Sequence, residues 1–198
     1  MDLLLSACLG IGLAAACGFR IFVPFLVMSI AANTDHLGLA GGFEWIGSRP
    51  ALIAFAVATL LEVLAYFVPW LDHLLDTAAV PIAIVAGVVV TASVVTDVSP
   101  LLRWSLAVIA GGGAAATTQA VTTGLRHLST FTTMGLGNPV VATAEAGGSL
   151  ALTLLAVIAP LMAAAALATL VVLAAALLLR RRRARALRPA GAAIRATS

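Results

Sequence analysis

The sequence has little charge and no lysine. Of its 198 residues, 62% are hydrophobic and only 10% are charged, and all eleven basic residues are arginine. A soluble domain is usually about half apolar and a quarter charged, so this chain has too few charges to cover the surface of such a fold. These absences exclude an ordinary water-soluble globule, and the length allows a single domain or one small bundle.

Cysteine, histidine and catalytic motifs are also scarce. The two cysteines, Cys8 and Cys17, are nine residues apart, which on a helix is about 13 Å and too far for a disulfide bond. The three histidines lie in three different connectors, and no HExxH, CxxC or nucleophile–base arrangement is present. We therefore predict no metal, no cofactor and no enzymatic activity.

The arginines are concentrated at the C-terminus. Seven of the eleven lie within residues 180–198, whereas residues 1–179 contain four arginines and eight acids, a formal charge of −4. The high isoelectric point therefore belongs to a tail, and we expect no nucleic-acid partner. An arginine cluster directly after an apolar stretch predicts a cytoplasmic C-terminus in a bacterial inner membrane, with residues 181–198 as a disordered tail.

Apolar stretches long enough to span a bilayer recur along the chain. They are residues 3–32, 51–69, 79–96, 101–123 and 139–180. The first contains Arg20 and Pro24 and is long enough for a helix plus a kinked or re-entrant piece. The last would be about 63 Å long as one helix, so we expect it to bend at Pro160. The predicted fold is an all-α membrane domain over residues 1–180 with six spans, or five.

The two halves of the chain resemble each other weakly. Each contains an apolar span between two prolines, Pro50 and Pro69 in the first half and Pro139 and Pro160 in the second. Three spans per half would form an inverted repeat, as in many transporters. The two repeats would be residues 3–96 and 101–180. The alternative is that Ala- and Gly-rich membrane helices resemble one another by composition alone.

Three ionisable residues lie inside predicted spans, where charge is costly: Arg20, Glu62 and Glu145. Gly18 and Pro24 flank the arginine and predict an interrupted helix there. One interpretation is functional, a path for a proton, an ion or a small solute, or an anion site around the arginine. The other is structural, with Arg20 paired to one of the two glutamates so that the bundle is fixed. The sequence leaves both open.

Residues 69–78 have the helical spacing of a short amphipathic helix lying at the membrane surface. Asp72 and Asp76 would place two carboxylates side by side on its polar face. We interpret them as solvated interfacial acids, because a divalent cation would need more ligands than this segment offers.

Residues 117–139 are rich in hydroxyl groups and end in a glycine-rich break. One alternative is a loop outside the membrane. The other is a break at membrane depth, followed by a helix that starts at Asn138 and Pro139 and directs its N-terminal amides at an anion. The candidate residues for such an anion or solute loop are Thr132, Thr133, Gly135, Gly137 and Asn138.

Short motifs of glycine, proline and aromatic residues follow one another over roughly residues 5–180. They are Gly18-Phe19-Arg20 with Pro24, Gly42-Phe43-Glu44-Trp45, Pro69-Trp70-Leu71-Asp72 with Asp76, Ser99-Pro100-Leu101, Gly111-Gly112-Gly113 and Gly137-Asn138-Pro139. Together they resemble the bacterial membrane family DUF4126, a domain of unknown function. The resemblance implies a multi-span helical protein, and it supplies no substrate, activity or binding residue.

The leading hypothesis is a small transporter or channel that moves an ion or small polar solute past the three intramembrane ionisable residues. The small residues Gly10, Ala14 and Gly18 favour close helix packing, within a protomer or between protomers of a homo-oligomer. The alternative is a non-transporting membrane scaffold or partner subunit whose buried charges lock its helices together. An intramembrane enzyme acting on lipid is the weakest hypothesis, because no catalytic constellation is present.

Overall fold

The structure is a computed structural model and describes residues 2–65, 69–134 and 137–169, together with residues 172 and 176. The side chains of residues 69–77 and 138 lie outside this description. The chain forms two compact units, Met1–Ala164 and Ala165–Ser198. The predicted arginine-rich tail, residues 181–198, lies outside the described residues.

The regular elements among the described residues are all helical, which confirms the all-α prediction. They are α1 (Leu3–Cys17), α2 (Phe22–Asn33), a 3-10 turn (Glu44–Gly47), α3 (Arg49–Ala65), α4 (Pro69–Val94), α5 (Pro100–Leu106), a π-helical segment (Ala107–Gly112), α6 (Gly113–Thr133) and α7 (Asn138–Ile158). A further helix, α8, spans Pro160–Thr169.

Helix α1 lies at the centre of the first unit, against α4, α6 and α7. Residues 13–17 are fully buried. Small side chains make this close packing possible: a Cβ added to Gly10 would lie 2.9 Å from Cγ2 of Thr91, and one added to Gly18 would lie 2.6 Å from the carbonyl oxygen of Ala115. The predicted small-residue stripe therefore packs within the chain, and oligomerisation stays a prediction.

Helix α1 runs antiparallel to α4. Gly10 of α1 packs on Thr91 of α4, and one turn later Ala14 of α1 lies near Gly87 of α4. The hydroxyl of Thr91 also donates to the carbonyl oxygen of Gly10 at 3.1 Å. The start of α1 and the end of α4 therefore lie at the same end of the bundle, which we call the upper end.

Helix α2 returns to the upper end. The amide of Ala40, in the connector after α2, donates to the carbonyl oxygen of Ser93, near the end of α4, at 2.7 Å. Helices α1 and α2 therefore form a hairpin whose tip lies inside the bundle. They contain 15 and 12 residues, or about 22 and 18 Å, which is shorter than the ~30 Å hydrocarbon core of a bilayer. Residues 3–32 therefore contain two short helices in place of one long helix, and a re-entrant position of the second piece in a membrane stays a prediction.

A continuous helical stretch joins α5, the π-helical segment and α6. It begins with a serine–proline pair that favours a helix N-terminus, and Oγ of Ser99 accepts the amide of Leu102 at 3.3 Å. Glycine allows the π-helical segment to cross α4 closely, because a Cβ on Gly111 would lie 2.7 Å from the carbonyl oxygen of Gly87.

The hydroxyl-rich segment is helical as far as Thr133, where α6 ends. The loop interpretation is therefore wrong for residues 117–133. The hydroxyls did not prevent a helix because they donate to carbonyl oxygens one turn earlier, as Thr117 does to Gly113 at 2.8 Å. Met134, with a φ of 54°, ends the helix in the left-handed conformation.

Helix α7 begins at Asn138 and ends at Ile158, and α8 begins at Pro160. The predicted helix start is confirmed, and the helix is interrupted at the position predicted for the bend, while a chain that folds back there stays a prediction. By length and composition, Pro139–Ile158 is the one helix among the described residues that could cross a membrane by itself.

Helix α4 is continuous over 26 residues and accommodates Pro81 in its interior. The expectation of a separate short helix over residues 69–78 is therefore wrong, because this segment is the first part of α4. The helix continues through it into the apolar residues of the predicted span 79–96.

Candidate functional site

The tip of the α1–α2 hairpin is an interruption of the helix. Gly18, at the end of α1, allows α6 to pack closely beside it, since a Cβ at this position would lie 2.6 Å from the carbonyl oxygen of Ala115 in α6. Pro24 falls in the first turn of α2, where backbone amides have no intrahelical acceptor, so the proline removes no helical hydrogen bond there. The interruption predicted around Arg20 is confirmed.

Arg20 lies in this interruption with its side chain inside the bundle, and only 2% of it is exposed. Its Nη2 donates to the carbonyl oxygen of Ala142 in α7 at 2.8 Å and lies 3.6 Å from Oε2 of Glu145. The same helix also binds the end of α1, because Oγ of Ser149 donates to the carbonyl oxygen of Ala16 at 3.0 Å. Helix α7 therefore holds both the end of α1 and the guanidinium group that follows it.

Glu145 is shared by two arginines. Its carboxylate accepts Nε of Arg126, from α6, on Oε1 at 2.9 Å, and it accepts Nη2 of the same side chain on Oε2. This two-point pairing of a guanidinium with a carboxylate is a strong and geometrically specific contact. With Arg20 on its other side, Glu145 joins α6, α7 and the hairpin tip.

Glu62 of α3 binds the backbone at the start of α2. Its Oε1 accepts the amide of Ile21 at 2.8 Å and its Oε2 accepts the amide of Phe22 at 3.1 Å. These are amides that a helix start leaves without an acceptor, and the helix dipole favours a negative charge there. Glu62 therefore fixes the hairpin tip to α3.

Four charged side chains thus meet at the hairpin tip: Arg20, Glu62, Arg126 and Glu145, which we call the charge quartet. Both arginines are near enough to Glu62 to act on its carboxylate electrostatically. Two positive and two negative charges give a formal net charge of zero. Arg20 and Glu145 are buried, and the other two are partly buried. Mutual neutralisation and hydrogen bonding allow these ions to persist among apolar helices.

The predicted anion loop is engaged with its own helix where the structure describes it. The hydroxyls of Thr132 and Thr133 donate to carbonyl oxygens one turn earlier. The hydroxyl of Thr133 also accepts the amide of Gly137 at 2.9 Å. Gly135 and the side chain of Asn138 lie outside the described residues, so anion binding at this loop stays a prediction.

A known protein family matches most of the chain. Residues 7–180 match the family described as Domain of unknown function (DUF4126). The chain belongs to the DUF4126 family. Comparisons with curated proteins and with solved structures give no match. The resemblance predicted from the short motifs is confirmed, and the whole charge quartet of this DUF4126 protein lies within the matched range.

Arg126 is the member of the quartet that the sequence did not single out. It follows the predicted span 101–123 and stood among hydroxyl residues that a loop could also contain. A helical signal was nevertheless present, because Thr118, Thr122 and Arg126 recur every four residues and so share one helix face. Both threonines are buried.

The remaining candidate residues of the DUF4126 chain are the acids Asp72 and Asp76. They lie in the first part of α4, and their side chains are outside the described residues, so their interfacial role stays a prediction. Across the part of the chain that the structure describes, no three His, Cys, Asp or Glu side chains are grouped so that they could hold a metal ion.

Proposed function

We propose that this DUF4126 protein is an integral membrane protein. Helix α6 supports the proposal because it buries three polar residues, Thr118, Gln119 and Thr122, while several large apolar residues of the same helix are exposed. Its exposed large apolar residues are Val121, Leu125, Leu128 and Phe131. Water would favour the opposite arrangement, whereas lipid favours apolar residues outside and hydroxyls inside.

The outer face of α3 supports the same proposal. It exposes large apolar side chains at helical spacing, namely Ile53, Val57, Leu60, Leu61 and Leu64. Exposed charges lie instead in connectors and at helix ends, at Asp2, Asp35, Glu44, Arg49 and Asp97. Apolar faces of this extent are rare on soluble monomers, and a lipid environment accounts for them.

In the proposed topology, the α1–α2 hairpin enters and leaves the membrane at the upper end. Helix α3 leads away from that end, α4 returns to it, the α5–α6 stretch leads away again and α7 returns. This gives four crossings and one re-entrant hairpin before α8, where the sequence predicted six spans or five. The arginine cluster at residues 180–188 supports a C-terminus in the bacterial cytoplasm.

Within the membrane, we propose that the charge quartet forms part of a path for an ion or small polar solute. Burying four charges is costly, and apolar side chains of similar size would hold the helices together at least as well. Many transporters bind solutes where a helix is interrupted at mid-membrane and its first amides are directed at a charged group. The observation that carries the proposal is that all four charges meet at such an interruption.

Flux into liposomes tests the proposal. The purified chain would be reconstituted, and uptake of radiolabelled sodium, rubidium and chloride would be measured under an imposed membrane potential. Glu62→Gln keeps the shape of the side chain and removes its charge, so we expect it to abolish the flux while circular dichroism and gel filtration show a folded protein.

Glu44→Gln is the matched control for this substitution. Glu44 also accepts a backbone amide, that of Gly42 at 2.9 Å, but it lies in an exposed connector. We expect wild-type flux from this variant. Unchanged flux in Glu62→Gln would contradict the proposed path.

A second candidate function is a non-transporting membrane scaffold or partner subunit. The net neutrality of the quartet and the two-point pair between Arg126 and Glu145 favour it, because such ions can serve to lock helices together. Under this alternative, substitutions in the quartet lower the thermal stability and the wild type has no flux to lose. A folded wild-type protein that passes none of the three ions would support the scaffold.

A further inference from the structure

The two carboxylates of the charge quartet have different partners. Glu145 is 4% exposed and is held at two points by the guanidinium of Arg126. Glu62 is partly exposed, and the hydrogen bonds that it accepts from Ile21 and Phe22 come from neutral backbone amides. Protonation of Glu145 would break a contact between opposite full charges, whereas protonation of Glu62 mainly weakens bonds to neutral donors.

We propose that Glu62 is the member of the charge quartet that takes up a proton, and that its protonation releases the hairpin tip from α3. The inference rests on the proposed transport function, for which the proton is then the coupling ion.

The charged and titratable groups around Glu62 come from each element near the tip. Arg20 in the interruption and Arg126 of α6 act on its carboxylate, and the buried thiol of Cys17 in α1 is near enough to sense its charge. Glu145 of α7 shares the same two arginines. Protonation of Glu62 therefore changes the formal charge of the quartet from zero to +1, while Glu145 keeps both arginines paired.

The hydrogen bonds at the tip change with the same step. An ionised carboxylate accepts both amides, one on each oxygen. A protonated carboxyl group keeps one carbonyl oxygen as an acceptor, while its other oxygen becomes a donor. One of the two amides at the start of α2 then faces a hydroxyl oxygen, which is a weaker acceptor than a carboxylate oxygen, and the link between the hairpin and α3 is weakened.

Infrared difference spectroscopy on the full chain in liposomes tests the proton site. Acidification of the wild type should produce a carboxylic acid C=O band at the high frequency of a carboxyl group shielded from water. This band should be lost in Glu62→Gln and retained in Glu44→Gln. Persistence of the band in Glu62→Gln, or its absence in the wild type, would overturn the proposal.

Amide hydrogen exchange at Ile21 and Phe22 tests the release of the tip. After correction for the intrinsic pH dependence, acidification should speed exchange of the wild type by about tenfold, which corresponds to roughly one net hydrogen bond. Glu62→Gln should exchange at the faster rate at both pH values. Wild-type exchange that does not respond to pH would refute the release step.

Glu62→Asp separates proton uptake from release of the hairpin tip. It also replaces Glu62→Gln if that variant does not fold. Its shorter side chain still titrates but reaches the amides poorly, so the infrared band should remain while exchange is fast at both pH values. These measurements need no solute. Flux in the absence of both responses would support transport and rule out the proton role of Glu62. Both responses in the absence of flux would support the proton-dependent release of the hairpin tip and rule out transport.

Discussion

Two helix interruptions within the described residues, between α1 and α2 and between α7 and α8, are built differently. The one between α1 and α2 is surrounded by four charged side chains. The one between α7 and α8 turns at Ala159, and Pro160 begins the next helix, so that one amide that would need an acceptor is absent. The amides of Met162 and Ala163 then bond to the carbonyl oxygen of Ala159 at 3.0 and 3.1 Å.

This difference shows that the bundle can interrupt a helix without charge. Proline and local hydrogen bonds are sufficient at Ala159. Charge is therefore not required to interrupt a helix in this bundle, and this is the argument for the proposed functional role of the charge quartet over a purely structural one. Substitutions at the two interruptions test this difference.

The largest effect is expected at Glu145. Glu145→Ala leaves Arg20 and Arg126 without their shared acceptor in a buried site, and it should lower the free energy of unfolding by about 3–5 kcal/mol. Thermal unfolding in detergent measures the loss. The double substitution Arg126→Gln with Glu145→Gln removes a complete pair and should recover part of it. A loss no greater than that of Glu44→Ala would show that the first interruption does not depend on its charges.

The next largest effect is expected at Glu62. Glu62→Ala removes the acceptor of two amides at the start of α2, and we expect the free energy of unfolding to fall by roughly 2–3 kcal/mol. Thermal unfolding in detergent again provides the measurement. A variant as stable as the wild type would mean that water or another group replaces the carboxylate at the tip.

A smaller loss is expected at Gly18. Gly18→Ala places a Cβ against the backbone of α6, and the displacement should cost about 1–2 kcal/mol. Gly113→Ala is the matched control, because a Cβ at Gly113 meets nothing within 4 Å, and the gain in helix propensity should stabilise the chain by up to ~1 kcal/mol. Equal effects of the two substitutions would mean that α1 and α6 can separate freely.

The smallest effect is expected at the second interruption. Pro160→Ala restores one backbone amide and increases the conformational freedom of the unfolded chain. The free energy of unfolding should therefore fall by only about 0.5–1 kcal/mol. The melting temperature of Pro160→Ala in detergent is compared with that of Glu62→Ala. If Pro160→Ala is the more damaging of the two, the second interruption depends on its proline more than the first depends on charge.

The sequence located the interruptions because their causes are local. Glycine and proline act on the backbone within about one turn, so Gly18, Pro24 and Pro160 could be interpreted without knowledge of neighbours. The start of α7 at Asn138 was found for the same reason. The predicted inverted repeat needs a comparison of the two halves in space and stays a prediction.

The partners of the charges were beyond the sequence because they are set by packing. Glu62 meets amides that are 41 residues away along the chain at Ile21, and no spacing rule indicates such a contact. Arg126 was missed for a different reason. A hydroxyl-rich stretch suggests a loop, but in α6 two of the threonines, Thr118 and Thr122, are buried, and exposed hydroxyls such as that of Thr117 donate to carbonyl oxygens one turn earlier in the helix.

The order of the charge quartet along the chain has a consequence for biosynthesis. A ribosome makes Arg20 first and Glu145 last, so the hairpin is synthesised before the carboxylate that completes its charge balance. The charge balance of the hairpin tip is therefore complete only once α7 has been synthesised, and a chain truncated before Glu145 would contain Arg20 and Arg126 without the carboxylate that they share.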